Sequence, residues 1–226
     1  SYMNDTRKQN IIVVEKKKKK EKWKNLVHKQ FVDTLHKSQL FDWLEGKESI
    51  VEAFIHLGAC SDTMELDASY LLENNYRYSC RLAEYALKHG HRFIYASSAA
   101  TYGDGNRGFN DDENSIYTLH PLNMYGFSKQ LFDQWVLNEG LFNRIVGLKY
   151  FNVFGPNELH KRRMASAITR MVPQIQKGER VKLFKSTVPE QFADGEQKRD
   201  FIYVKDVVRM TCAFLENDVG GLLNIG

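Results

Sequence analysis

The chain has 226 residues, 42% hydrophobic and 27% charged, with a net charge of +4. That is ordinary for a globular protein with a sizeable core, and it leaves room for one large domain or two small ones. No run approaches the roughly 20 apolar residues of a membrane span, the first ten residues are polar where a signal peptide would be apolar, and three widely spaced cysteines, Cys60, Cys80 and Cys212, make no disulfide scaffold.

Residues 11–14 are apolar and β-branched, which predicts a short buried strand. Residues 15–24 hold seven lysines and two glutamates, so the rest of the chain carries a charge of −1. A basic balance confined to one segment predicts a solvated loop, with neither a nucleic acid nor a membrane as partner. Residues 31–35 read as a strand. Residues 37–45 read as a helix with Leu40, Phe41 and Leu44 on one face and Gly46 as its stop. A strand at 51–57 ends at Gly58. Residues 67–89 have helical spacing through Leu71, Leu72, Tyr76, Cys80, Ala83 and Leu87, closed by Gly90. A strand at 92–96 runs into a Ser/Ala/Thr stretch, and 101–121 read as loop. A helix at 122–139, a strand at 145–151 and a helix at 164–177 follow. Short strands are predicted at 181–184, 201–203 and 222–225, with a helix at 205–216.

Strands alternate with helices, so the prediction is an α/β fold: a doubly wound, mostly parallel sheet of Rossmann type with a smaller lobe. Residues 1–156 would form the main domain and 157–226 mainly the lobe, with 200–216 returning to the main sheet. Ligands on such sheets sit beyond the carboxyl ends of the strands. Three segments there carry chemistry: residues 58–61, 97–103 and 152–156.

Tyr125 and Lys129, four apart at a helix start, share one face. A phenol with a reference pKa near 10 is a poor base at neutral pH, and an ammonium one turn away is expected to lower it. With a hydroxyl from Ser98 at a strand end, the three groups can take a proton from a carbinol while hydrogen leaves the same carbon. Tyr and Lys at this spacing are also a common surface pair; the Ser98 motif is what favours chemistry. No metal site is predicted. His56 and Cys60, and His89 and His91, are pairs without the further ligands zinc requires.

The motifs Ser98-Ala-Ala-Thr-Tyr-Gly103, Tyr125-Gly-Phe-Ser-Lys129, Tyr150-Phe-Asn-Val-Phe-Gly-Pro156 and Arg199-Asp-Phe-Ile-Tyr-Val-Lys-Asp206 resemble the extended short-chain dehydrogenase/reductase superfamily. More narrowly, His56-Leu-Gly-Ala-Cys-Ser-Asp-Thr63, Asn74-Asn-Tyr76, His160-Lys161 with Met164-Ala-Ser166, and Lys182-Leu-Phe184 are similar to the ADP-glycero-manno-heptose 6-epimerase family. The resemblance runs from about residue 11 to 226. It implies a cytoplasmic isomerase, a homo-oligomer, that epimerises an ADP-sugar at C6 by transient oxidation and re-reduction with a tightly bound nicotinamide cofactor, for the lipopolysaccharide inner core.

The resemblance also implies roles. Tyr125 would be one acid/base, tuned by Lys129, which also holds the nicotinamide ribose. Ser98 would bond the substrate near the reacting carbon. Lys161 would be a second acid/base on the other sugar face and would also line the cofactor. Glu15, Lys22, Lys37, Leu57, Gly58, Ala59, Cys60, Ser61, Asn74, Lys129 and Val153 would line the cofactor. Asn152, Arg163, Arg170, Phe184, Lys185, Ser186, Thr187 and Arg199 would join Ser98 on the substrate. Glu15 at a strand end suits NAD, whereas Lys22 and Lys37 suit NADP, the cofactor expected here.

The sequence departs from the family in two places. It lacks the glycine-rich loop of the first strand, and it stops at Gly226 where the family continues, which predicts a record incomplete at both ends. Ala99 and Ala100 stand where superfamily dehydratases carry an acidic pair. A dehydratase is therefore disfavoured, a sugar 4-epimerase is the nearer alternative, and a non-catalytic binding fragment is the alternative of another class.

Overall fold

The computed structural model describes residues 2–16 and 22–226, apart from the side chains of Leu159, Arg162 and Arg163. Most of the lysine run, and with it the solvated-loop expectation, lies outside the described residues. After a short helix α1 (Tyr2–Asp5), β1 (Ile12–Glu15) pairs in parallel with β2 (Asp33–His36). β1 is half-buried along its length where the apolar run predicts a fully buried strand, because its only strand neighbour among the described residues is β2. Then come α2 (Leu40–Leu44), β3 (Ala53–His56), α3 (Ala68–Leu71), a π-helical turn at Leu72–Arg77, and α4 (Tyr78–Lys88). β4 (Arg92–Ser98), α5 (Met124–Asn138), β5 (Ile145–Tyr150), β6 (Asn152–Phe154), α6 (Ala167–Gln176), β7 (Phe201–Tyr203), α7 (Val204–Ala213) and β8 (Gly221–Ile225) complete the chain.

The main sheet has the order β3-β4-β5-β8, with every neighbour parallel. Alternation along β4 assigns its two faces. Phe93 and Tyr95 pack against Leu82, Ala83 and Ala86 of α4 and Phe132 and Val136 of α5. Ile94 points the other way, with Val146, Leu148 and Ile225, onto Ile202 and Val207 of β7 and α7. Both faces are covered, as the run of buried residues along β5 requires. β5 tolerates a glycine at its centre because Gly147 leaves room for the Tyr95 ring beside it; a Cβ there would strike the Tyr95 hydroxyl.

Two strand predictions change. The chain turns out of the main sheet at Phe151, whose N–H bonds the Ile225 carbonyl, while Asn152 N–H bonds the Asp200 carbonyl. A separate two-stranded sheet, β6-β7, starts there. Residues 181–184 are not a strand. Gly195 N–H bonds the Phe184 carbonyl at 2.8 Å and Ser186 N–H bonds Asp194 at 2.7 Å, so this segment closes on itself as a loop with no partner strand. Local β-propensity loses where no neighbouring edge is available.

Between β4, β5 and α5 lies a buried ion pair. Lys149 Nζ sits 3.4 Å from Asp133 Oδ2, both at most 1% exposed. Tyr95 donates to Asp133 at 2.8 Å, Ser97 donates to it at 2.7 Å, and Lys149 also donates to Thr101 at 2.6 Å.

Candidate active site

β4 ends at Ser98, whose hydroxyl accepts from Ala100 N–H at 3.1 Å and caps a short 3₁₀ turn, Ala99–Tyr102. α5 begins beside that turn. Asn123 is its N-cap, accepting from Gly126 N–H at 2.8 Å. Gly126 then packs directly on the Ala100 carbonyl: a Cβ there would come within 2.6 Å of that oxygen. The close approach places the phenol of Tyr125 within the electrostatic influence of the Ser98 hydroxyl.

Burial raises the Tyr125 phenol above its ordinary value; the Ser98 hydroxyl pulls it back, and the nearby Cys60 pushes it further up. The sequence reading has Lys129 lowering this phenol; in the structure burial is the largest influence, and the phenol stands above its ordinary value. The Lys129 ammonium turns to the Ala96 carbonyl at 2.8 Å, and Ser98 is the group that favours the phenolate. Burial pulls Lys129 down to about 8, while Asp133, one turn further along α5, holds it up.

The segment after β3 closes the other side. Leu57, Gly58, Ala59 and Ser61 are exposed and Cys60 half-buried. Cys60 is held by Asn75, which accepts from its N–H at 2.8 Å and donates to its carbonyl at 2.9 Å. His56 precedes this loop. Its Nε2 lies 2.8 Å from Ser79 Oγ, and burial, helped by the Lys129 charge, pushes it down to about 3, so it is neutral. No group of three His, Cys, Asp or Glu among the described residues converges as metal ligands.

At the carboxyl edge of β1 and β2, Glu15 pairs with Lys22, and Lys37 bonds the Asn74 side chain. Lys16 donates to the Tyr70 hydroxyl at 3.1 Å. Burial lowers Lys37, and the Lys16 charge lowers it further against the pull of Glu73. Two ammonium groups thus crowd one spot. This donor set suits a ribose and a phosphate, and the open edge over residues 57–61 suits the flat body of a dinucleotide.

Other predicted residues lie in the second half. Asn152 donates its amide to the Asp200 carbonyl at 2.9 Å, and Val153 packs at the edge of the lower core. The side chain of Arg163 lies outside the described residues. Arg170 is on the exposed side of α6; Phe184, Lys185 and Thr187 are also exposed or half-exposed, with Ser186 in the loop contact to Asp194. Arg199 donates to the Lys198 carbonyl at 2.6 Å, and the described partner of Asp206 is Arg209. The Lys161 ammonium is 3.7 Å from Glu158. The described polar contacts of these groups lie within the second half of the chain. His160, however, lies 3.3 Å from Asn25, which ties this turn to the segment after β1.

Glu158 was not singled out in the sequence, yet it organises that turn. It accepts from the backbone of Gly155 and Ser166 and the hydroxyls of Ser166 and Thr169, all at 2.9–3.0 Å. Burial raises its carboxyl, but these four donors outweigh burial and leave it lowered. A lowered folded-state value stabilises above the unfolded carboxylate range and is lost as pH falls through the folded value. Glu158→Gln is therefore expected to destabilise by about 1–3 kcal/mol at pH 7. The gap to the parent protein should close below about pH 4, as checked by urea unfolding at both pH values. Asn123, Asn75, Asp133 and Lys149 were also missed. Asn123 carried a signal, a capping residue just before a helix; the other three are specified only by packing.

No helix among the described residues is long and apolar enough to cross a membrane. The profile of the NAD dependent epimerase/dehydratase family matches residues 2–226. The chain is 49% identical over 227 residues to the ADP-L-glycero-D-manno-heptose-6-epimerase of Nitratidesulfovibrio vulgaris strain Hildenborough, covering 99% of this chain and 70% of that protein. It is 45% identical over 230 residues to the enzyme of the same name from Fusobacterium nucleatum, covering 99% and 69%. The crystal structure of the Helicobacter pylori ADP-L-glycero-D-manno-heptose-6-epimerase superposes with a TM-score of 0.81 at 30% identity, covering 100% of this chain and 70% of that one.

Proposed function

The chain belongs to the NAD dependent epimerase/dehydratase family, and from that premise we propose that it is an isomerase that inverts C6 of ADP-glycero-manno-heptose, D-glycero to L-glycero, for the lipopolysaccharide inner core. Relatives of that name at 43–49% identity over 99% of the chain carry the substrate assignment. The placing of Tyr125 beside Ser98, with Lys129 one turn on, supports the chemistry.

C6 of the heptose bears a hydrogen and a hydroxyl. A nicotinamide held by Lys129 and residues 57–61 would supply a reversible acceptor for that hydrogen and its electron pair. Tyr125, as phenolate, accepts the hydroxyl proton as the carbonyl forms, and Ser98 donates a hydrogen bond to the same oxygen. Lys129 holds the cofactor ribose and keeps positive charge behind the phenol. Inversion needs the second transfer on the opposite face of the carbonyl, and there Lys161 supplies the proton. Asn152, Arg163, Arg170, residues 184–187 and Arg199 hold the ADP-sugar in this reading, with Arg199 suited to two diphosphate oxygens. Residues 57–61, Asn74 and Val153 line the cofactor, and the protein works in the cytoplasm.

NADP is the cofactor of this reading. Lys22 neutralises Glu15, and Lys16 and Lys37 repel each other unless an anion such as a 2′-phosphate sits between them. Self-association belongs to it as well. Its support is a groove of about 560 Å³ along α5 lined by Tyr117, Leu122, Met124 and Phe127, with Leu122 71% exposed. Sedimentation and the mass of the nucleotide released on denaturation check these two points.

The deciding experiment supplies each C6 epimer to the purified protein and follows interconversion. Equilibration without net consumption of nicotinamide nucleotide is expected. Turnover of UDP-galactose with none of the heptose would move the assignment to the 4-epimerases. Lys161→Met is expected to slow epimerisation by roughly 10²–10⁴-fold with ADP-sugar binding retained. Near-normal turnover by that variant would leave Lys161 as a partner of Glu158 alone.

A further inference from the structure

We infer that Asn75 is a positioning residue that locks the strand-end loop at residues 58–61 to the first turn of α5, so that the two halves of the active site hold one register. The inference rests on the reading above, in which Tyr125 is the acid/base and the loop lines the cofactor.

Asn75 is 1% exposed and spends both amide hydrogens and its carbonyl on two elements. It grips Cys60 through both backbone groups, at 2.8 and 2.9 Å. Its second amide hydrogen goes to Ser128 Oγ at 3.0 Å, and Ser128, fully buried, donates in turn to the Tyr125 carbonyl at 2.7 Å. The path from Cys60 to Tyr125 therefore runs through direct hydrogen bonds of two side chains. Behind Asn75, Ser79 donates to its carbonyl at 2.8 Å, and His56 at the end of β3 bonds Ser79. Asn75 is thus fixed to the strand from which the loop emerges.

Asn75 lies within the π-helical turn Leu72–Arg77. Successive residues on a helix point about 100° apart. Asn74 faces out to Lys37 while Asn75 faces in to Cys60. A single wide turn of this kind within a helix is often found at functional sites.

The links are separable by mutation. Ser128→Ala cuts only the tie to Tyr125, and Asn75→Ala cuts both. In the full-length enzyme with its bound nucleotide, Ser128→Ala is expected to lower kcat about tenfold, the worth of one buried hydrogen bond. KM for the ADP-heptose and the rate of nucleotide release should not move. Asn75→Ala should lower kcat by the same factor and also speed nucleotide release about tenfold or more. In the double variant kcat should fall no further than in Asn75→Ala, because both substitutions act through one bond. Asn75→Asp keeps the acceptor for Cys60 N–H and loses both donors, and it serves if Asn75→Ala does not fold. Multiplying kcat losses, or unchanged nucleotide release in a folded Asn75 variant, would overturn the proposal. A parent enzyme that retains nucleotide but fails to epimerise would refute the functional reading, and the release arm would still test the lock.

Discussion

Replacing Tyr125 with phenylalanine is expected to slow epimerisation by roughly 10²–10⁴-fold, or about 3–5 kcal/mol of barrier. Binding of the ADP-sugar should stay close to that of the parent, because the substitution removes one oxygen and no packing surface. The pH dependence sharpens the test. Burial raises the phenol and the Ser98 hydroxyl opposes it, so turnover should climb as pH rises toward the phenolate. Ser98→Ala removes the opposing hydroxyl, raises the phenol further and should shift that climb to higher pH. Steady-state rates from pH 6 to 10 for the three proteins read both effects. An active Tyr125→Phe enzyme would remove the acid/base assignment, and an unshifted profile in Ser98→Ala would remove the tuning role of Ser98.

Lys149→Met is expected to be the most destabilising of the substitutions considered. It leaves the Asp133 carboxylate buried with Tyr95 and Ser97 as donors but without its ion-pair partner, only the Lys129 charge one turn back remaining. Stranding one member of a buried pair costs about 3–5 kcal/mol, or roughly 6–20 °C of melting temperature for a chain of this size. The double variant Lys149→Met/Asp133→Asn removes both charges and should recover much of that loss. Calorimetry on both variants decides it. If the double variant melts no higher than the single, the cost comes from the lost lysine stem rather than the stranded charge. Asp133 also holds Lys129 in its charged form, so the double variant should remain slow even where it is stable.

The legible parts of this protein were those written in local pattern. The run through 92–98 is apolar and then small, so both the strand and the place of Ser98 at its end could be read directly. The helix of Tyr125 and Lys129 carried its own spacing, and the alternation of elements gave the parallel architecture. Phase and burial were not legible. Asn74 and Asn75 are adjacent and identical, and only their phase on the helix, which composition does not show, sends one to Lys37 and the other to Cys60. The balance at Tyr125 was not legible either, because spacing along a helix reveals neither how deeply the phenol is buried nor that the Lys129 ammonium bonds the Ala96 carbonyl. The run at 181–184 had strand composition without a strand to pair with. Glu158 looked like any surface acid, since its four donors come from residues up to 11 positions away.

The strand order has a consequence for how the molecule is made. On the ribosome, β3, β4 and β5 emerge in sequence and pair as they come. The free edge of β5 must then wait for β8, which follows the whole second-half excursion of the chain. During that interval a nascent chain carries a row of unpaired amide and carbonyl groups beside buried-type residues, an invitation to intermolecular pairing. The wall behind Ser98 also stays open, because Tyr102 anchors to Asn224 at 2.8 Å and Asn224 in turn anchors Asp111 at 2.7 Å. Long-separation parallel pairing is slow. Translation rate, temperature and chaperone supply should therefore govern soluble yield more than equilibrium stability does, and a ribosome paused just short of residue 221 holds the chain at its most aggregation-prone stage.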